Sequence, residues 1–199
     1  MKEKTMKKKE NLKDGTEITI RSMTLKDLDP LMKFFKNLPQ RDRRYFRVDV
    51  TDRDVMTERI KLMKSGNFIR IVALQNNRIV ATGILELSAE EWRKHQGELR
   101  TIVEPDMRHK GLGTVMLREL YHLAAEKNVE KVIVRIMRPQ RAARAICHKL
   151  GLREETVLPD YVRDTTGKMQ DMIIMAGDMK EFWKELEHFF MDTDWRRHR

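Results

Sequence analysis

One cysteine, Cys147, stands in a chain of 199 residues, which rules out an internal disulfide and leaves stability to buried apolar surface. Apolar runs are short as well. None approaches the roughly 18 residues that a membrane-spanning helix requires, and the N-terminal segment has no apolar centre of the kind a secretory leader carries. The expectation is a soluble cytoplasmic chain with no membrane partner. The six histidines are scattered among charged residues, and no histidine and cysteine cluster has zinc spacing, so no metal site is expected. Neither an internal repeat nor an interdomain linker appears. Against about 100–200 residues per domain, the length corresponds to one domain whose core needs no staples.

What the chain does have is positive charge, a formal +10, which raises nucleic acid as a partner until the charge is located. Six lysines and two glutamates give residues 1–13 a net +4, and Arg196, Arg197 and Arg199 give +3, so +3 is left for everything between. Two basic tails on a nearly balanced domain lack the long basic stripe and the interleaved aromatics of a single-strand binder, and nucleic acid is not the expected partner. Residues 1–13 read as a disordered basic arm, 14–177 as the folded domain, and 178–199 as a C-terminal amphipathic helix. In that helix Phe182, Trp183, Leu186, Phe189 and Phe190 form an apolar stripe, which packs on the fold or meets a second copy. Monomer and homodimer both stay open.

Periodicity divides the rest into strands and helices. Glu17 to Arg21 alternates as a strand, and Thr24 is placed to cap a helix ending near Asn37. Val55, Met56, Ile60 and Met63 recur at helical spacing. Phe68 to Ala73 and Arg78 to Leu87 read as strands joined by Asn76 and Asn77, which tolerate the positive φ of a tight hairpin. Glu98 to Val103, Val129 to Met137, Glu154 to Leu158 and Met169 to Ala176 supply further strands.

The most informative stretch is Met107-Arg108-His109-Lys110-Gly111-Leu112-Gly113-Thr114, an R-x-x-G-x-G loop between a strand and a helix. Gly111 and Gly113 permit backbone angles that L-residues avoid and clear room for a closely approaching ligand. The N–H groups and positive dipole end of the helix then favour a phosphate or pyrophosphate, with Arg108 and Lys110 adding full charges. Two competitors are excluded by spacing. A dinucleotide fingerprint needs a glycine where Arg108 stands, and a nucleotide-triphosphatase loop needs a lysine between Gly113 and Thr114.

This loop resembles the pyrophosphate loop of the GNAT N-acetyltransferase superfamily. The later run from Gln140 to Leu152, with Ala142, Ala143 and Ala145 and then Gly151, is similar to that family's second cofactor-side helix. The resemblance implies a single α+β domain whose central, mixed, mostly antiparallel sheet splays at the cofactor site between flanking helices. It also implies acetyl-CoA as cofactor, held by Val103, Arg108, His109, Lys110, Gly111, Leu112, Gly113, Thr114, Gln140 and Arg144. Arg135, Arg138, Arg141 and Arg144 form an arginine group for which contact with the cofactor's outer phosphate is an alternative to simple solvation.

The implied reaction is acyl transfer from a thioester to a primary amine, which must lose a proton before it attacks. Glu98 matches the position of the superfamily's proton-accepting glutamate, with Glu86, Glu90 and Glu91 in reserve. The Val103 N–H is the expected oxyanion donor. Where the family often has a tyrosine that protonates the departing thiolate, this chain has Cys147, which either serves as that acid or is a small buried side chain. Leu38 to Arg47 and Glu98 to Val103 resemble segments of bacterial protein-lysine acetyltransferases. A protein lysine is therefore the first expected acceptor and a small amine or amino acid the second, with a non-catalytic acyl-CoA-binding protein as the competing class.

Overall fold

The computed structural model describes residues 6–194, with the side chains at 189, 190 and 192–194 excepted. In chain order the elements are β1 (Lys7–Asn11), β2 (Glu17–Ser22), α1 (Leu28–Asn37), α2 (Gln40–Arg43), α3 (Arg53–Lys61), β3 (Phe68–Gln75) and β4 (Arg78–Leu87). There follow β5 (Gln96–Val103), α4 (Leu112–Glu126), β6 (Lys131–Met137), α5 (Arg141–Lys149), β7 (Arg153–Arg163), β8 (Met169–Asp178) and α6 (Met179–Asp194). The strands form one sheet in the order β1-β2-β3-β4-β5-β6-β8-β7. β5 and β6 pair in parallel, while β1 with β2, β2 with β3, β3 with β4, β6 with β8 and β7 with β8 are antiparallel. The α+β class with a mixed, mostly antiparallel sheet is the architecture the sequence led us to expect.

The chain divides into two compact units, Met1–Glu86 with Arg100–Leu120, and Leu87–Leu99 with Tyr121–Arg199.

In the first unit the β3–β4 hairpin turns on Asn76 and Asn77, at φ 49° and 61°, the conformation a two-residue turn of the primed type demands. Thr24 and Asp27 start the first helical segment: the Thr24 N–H donates to the Asp27 carboxylate at 2.7 Å, and Arg21 grips the same carboxylate through two nitrogens at 2.6 and 2.8 Å. Asp52 caps α3 by accepting from the N–H groups of Asp54 and Val55. Leu31, Phe34, Phe35, Leu38, Met56 and Ile60 then pack with Val72 into one buried cluster. On the opposite face Gly83 lets α4 come close, since a Cβ there would stand 3.0 Å from Ile71 and 3.1 Å from Leu120. Burying Leu112, Val115, Met116 and Leu120 fixes α4, and with it the loop that precedes it.

Residues 7–11, expected within a disordered arm, instead form β1 against β2. Net charge misled because it ignored pairing. Lys8 reaches the buried Glu119 of α4 at 2.8 Å, Glu10 accepts from Arg118, and Lys9 meets Glu17 at 3.1 Å, so three of the four charges of the strand are matched. Leu12, 5% exposed, anchors its end. The first five residues and Arg196, Arg197 and Arg199 lie outside the described residues.

In the second unit α5 ends at Gly151, φ 77°, whose N–H donates to the His148 carbonyl while the Leu152 N–H donates to that of Cys147. This is the pair of hydrogen bonds that closes a left-handed helix stop, and Leu152 is buried beside it. Phe182 and Leu186 bury the inner stripe of α6, and Trp183 stacks on Tyr121 with ring centroids 4.6 Å apart. Packing onto the fold is thus the role of these three residues. The side chains of Phe189 and Phe190 lie outside the described set.

Candidate active site

In the first unit, Val103 ends β5 and Pro105–Met107 make a short 3-10 turn into the R-x-x-G-x-G loop. Met107 and Leu112 are buried and pin the loop at both ends. Between them His109 and Gly111 both adopt positive φ, 63° and 88°. Only the second is a glycine, so the loop holds an L-residue in the left-handed region as well. Gly113 differs from expectation, being helical rather than left-handed; a Cβ there would meet Val103 at an ordinary 3.8 Å. The first bond of α4 runs from the Val115 N–H to the Gly111 carbonyl at 3.1 Å. The N–H groups of Leu112, Gly113 and Thr114 precede it and point out along the helix axis, where an anion is favoured.

The loop's cations are held in place. Arg108 donates to the Val103 carbonyl at 3.2 Å and to Asp42 of α2 at 2.7 Å. Lys110 pairs with Asp14 at 3.0 Å, and its carbonyl accepts from the Lys13 N–H. Lys110 and the turn made by Thr16 draw the Asp14 carboxyl down to about 2. Both cations are about a third exposed, so solvent screens each pair and leaves it ready to yield to a pyrophosphate. Asp14 and Asp42 were not foreseen as partners, because nothing local in the sequence brings a hairpin turn and α2 to this loop. The residues present fit a coenzyme A pyrophosphate: a positive-φ cradle, three outward N–H groups and two cations on weak leashes.

The second unit holds Glu98, Gln140, Arg144 and Cys147. Glu98 is in register with Ile133 of the parallel neighbour β6 and is 7% exposed, and Arg135 of β6 donates to its Oε2. Arg135 therefore serves Glu98, whereas the sequence suggested it only as one of an arginine group beside a phosphate. Arg138 pairs with Asp171 at 2.7 Å, and Arg144 pairs with Glu154. Gln140 closes the turn into α5, accepting from the Met137 N–H at 2.8 Å. Burial pushes the Cys147 thiol up to about 11, so it stays protonated and gives up its proton poorly. Of the reserve carboxylates, Glu86 in the first unit accepts from Arg100, while Glu90 and Glu91 are exposed and pair with Arg93 and Lys94.

Among the described residues no cluster of histidine, cysteine and carboxylates has the form of a metal site, and no helix is long and apolar enough to cross a membrane. A concavity of about 340 Å³ lined by Asp29, Lys33, Phe34, Asn37 and Arg78 shares no residue with the loop or Glu98.

Comparison with known proteins identifies the family. The family described as Acetyltransferase (GNAT) domain matches residues 17–153. The [ribosomal protein bS18]-alanine N-acetyltransferase of Escherichia coli K12 is 27% identical over 109 residues, 55% of this chain and 70% of that protein. The ribosomal-protein-alanine N-acetyltransferase structure from Brucella melitensis superposes with a TM-score of 0.69 at 22% identity, covering 80% of this chain and 98% of that one. A Salmonella typhimurium structure solved with its cofactor acetyl-CoA gives 0.68 at 17% identity, covering 81% and 94%. The chain belongs to the GNAT family and is an acetyl-CoA-dependent N-acetyltransferase.

Proposed function

We propose that this enzyme acetylates the N-terminal α-amine of a polypeptide. The observation that carries the cofactor half is the loop from Arg108 to Thr114, with Gly111 at φ 88° and the first turn of α4 behind it. Gly111, the N–H groups of Leu112 to Thr114, Arg108 and Lys110 hold the pyrophosphate. Bound acetyl-CoA supplies the activated acetyl group, so that a new C–N bond forms as the thioester C–S bond breaks and the thiolate departs. Arg108 holds the Val103 carbonyl and so the end of β5, and the Val103 N–H is the donor that would meet the acetyl oxygen as charge develops on it.

Glu98 accepts the proton that the amine must lose, directly or through one water, while Arg135 fixes its orientation. A carboxylate can accept about four hydrogen bonds, so the guanidinium on Oε2 does not saturate it. An α-amine, with a pKa of about 7.7–8.0, is neutral in about one molecule in ten at pH 7, whereas a lysine at about 10.4 is neutral in fewer than about one in a thousand. The less demanding α-amine suits a carboxylate already committed to an arginine, and the relatives named for ribosomal-protein alanine acetylation support it. The departing thiolate takes its proton from water, since Cys147 is buried and a poor acid.

The test is an initial-rate assay of coenzyme A release with three acceptors: a peptide with a free N-terminus and no lysine, an N-terminally blocked peptide with one lysine, and a free amino acid. Turnover of the first, above the others, is expected. Turnover confined to the second moves the acceptor to lysine, and confined to the third to a small molecule.

A further inference from the structure

Arg70 lies in the middle of β3, inside the otherwise apolar run from Phe68 to Leu74. It is 6% exposed, and its Nε is buried without a hydrogen-bond partner. Buried guanidinium groups are otherwise paired, because a desolvated charge with unmet donors costs several kcal/mol. Its neighbours worsen the position. Arg100 of β5 and Arg59 of α3 both repel it, and burial together with these like charges draws its guanidinium down to about 10 against the pull of Glu86.

Glu86 is the carboxylate that faces Arg70. Register places Phe68 opposite Glu86 and Arg70 opposite Ile84, so Arg70 and Glu86 stand on one face of the β3–β4 ladder, a diagonal step apart. Glu86 is already engaged by Arg100, and Arg47 lies 4.0 Å from its Oε2. Arg70, Arg100 and Arg47 thus gather about one carboxylate whose hydrogen bond goes to Arg100, and the buried Nε of Arg70 is left without a partner.

We propose that Arg70, with Arg100 and Arg47 beside it, forms a subsite for a carboxylate of the acceptor. The planar fork of a guanidinium matches a carboxylate in two parallel hydrogen bonds. Glu86 already brings one negative charge into the group, so a singly charged carboxylate completes it with less repulsion than a phosphate dianion. That the carboxylate belongs to the acceptor rests on the acetyltransferase reading above. The same group comes either from an acidic side chain of a polypeptide or from the α-carboxylate of a free amino acid.

The test is calorimetric binding of the amidated tripeptides Ala-Glu-Ala and Ala-Gln-Ala, and of free glutamate, to the full chain with and without coenzyme A. Acetyl transfer to each is read separately by mass spectrometry. The glutamate peptide should bind about tenfold or more tightly than its glutamine counterpart. Arg70→Met should bring that ratio near one while leaving the melting temperature of the free protein unchanged or higher, since the methionine removes an uncompensated charge. Preference for free glutamate over the peptide assigns the subsite to an α-carboxylate. Equal binding of the two peptides, binding of none of the three probes, a ratio that survives Arg70→Met, or a melting temperature that falls with it overturns the subsite. Acetyl transfer without discrimination leaves the acetyltransferase reading standing, and discrimination without transfer does the reverse.

Discussion

Arg135 on β6 donates to the Glu98 carboxylate on the parallel neighbour β5, so the residue proposed as proton acceptor is held by a guanidinium from the adjacent strand. The carboxylate end of this pair is buried and the arginine end about a third exposed. Removing the arginine alone therefore strands a buried charge. Arg135→Gln should cost about 2 kcal/mol, short of the full penalty of a wholly buried pair, and pairing it with Glu98→Gln should recover most of that. Urea denaturation of the two single variants and the double checks it; additive losses would contradict the coupling.

Glu98→Gln keeps shape and removes the proton acceptor. Turnover should fall about 10²–10⁴-fold, with the acidic limb of the pH-rate profile gone and coenzyme A affinity unchanged. Unchanged turnover would move the proton-accepting role to Glu86.

Gly111 sits at φ 88°, where an L side chain is strained, and a Cβ there would meet the Lys13 side chain at 3.4 Å. Gly111→Asp adds a negative charge where the pyrophosphate sits. The rise in melting temperature that saturating coenzyme A gives the wild type should vanish in this variant, while the free protein stays folded by circular dichroism. A full ligand-induced shift would show that the loop is not the cofactor's cradle.

How far the sequence could be read is clear from particular residues. The hairpin at Asn76 and Asn77, the cap at Thr24, the helix stop at Gly151 and the loop before α4 were legible because each rests on a local backbone requirement that a few adjacent residues announce. β1 was not. Its lysines and glutamates signal charge, and only the fold brings Glu119 and Arg118 to match them. The same limit hid the partners of Arg108 and Lys110, which lie 66 residues away at Asp42 and in the turn at Asp14. Glu98 was legible as a position, but its burial and its arginine were not. Arg70 did leave a signal, a charge in the middle of an apolar strand.

Asp27 receives Arg21 and Thr24 while 5% exposed. Burial pushes its carboxyl up, but the hydrogen bonds from Arg21 and Thr24 prevail and hold it below 3.8. A depressed folded pKa means the stabilisation is present above the unfolded value and lost as pH falls through the folded one. Asp27→Asn should cost about 2–3 kcal/mol at pH 7 and much less in acid, once the folded-state carboxyl is protonated. Denaturant midpoints at pH 7 and in acid measure this; an equal loss at both would contradict the assignment.

Cys147 is 7% exposed, with its thiol raised from 9.0 to about 11. At pH 8 its thiolate fraction is about a hundredfold below that of an ordinary cysteine, so a disulfide reagent should titrate it only after unfolding. Cys147→Ala should change turnover by about twofold or less, in keeping with a small packed side chain. Fast labelling of the native protein, or collapse of turnover with normal coenzyme A binding, would restore it as the acid.

The most direct measurement is tandem mass spectrometry of proteins from a cell extract incubated with deuterated acetyl-CoA and the enzyme, locating the labelled nitrogen. The account predicts enzyme-dependent deuteroacetyl groups on N-terminal α-amines, greatly reduced with Glu98→Gln. Label on lysine side chains alone, or no enzyme-dependent label on any protein, would contradict it.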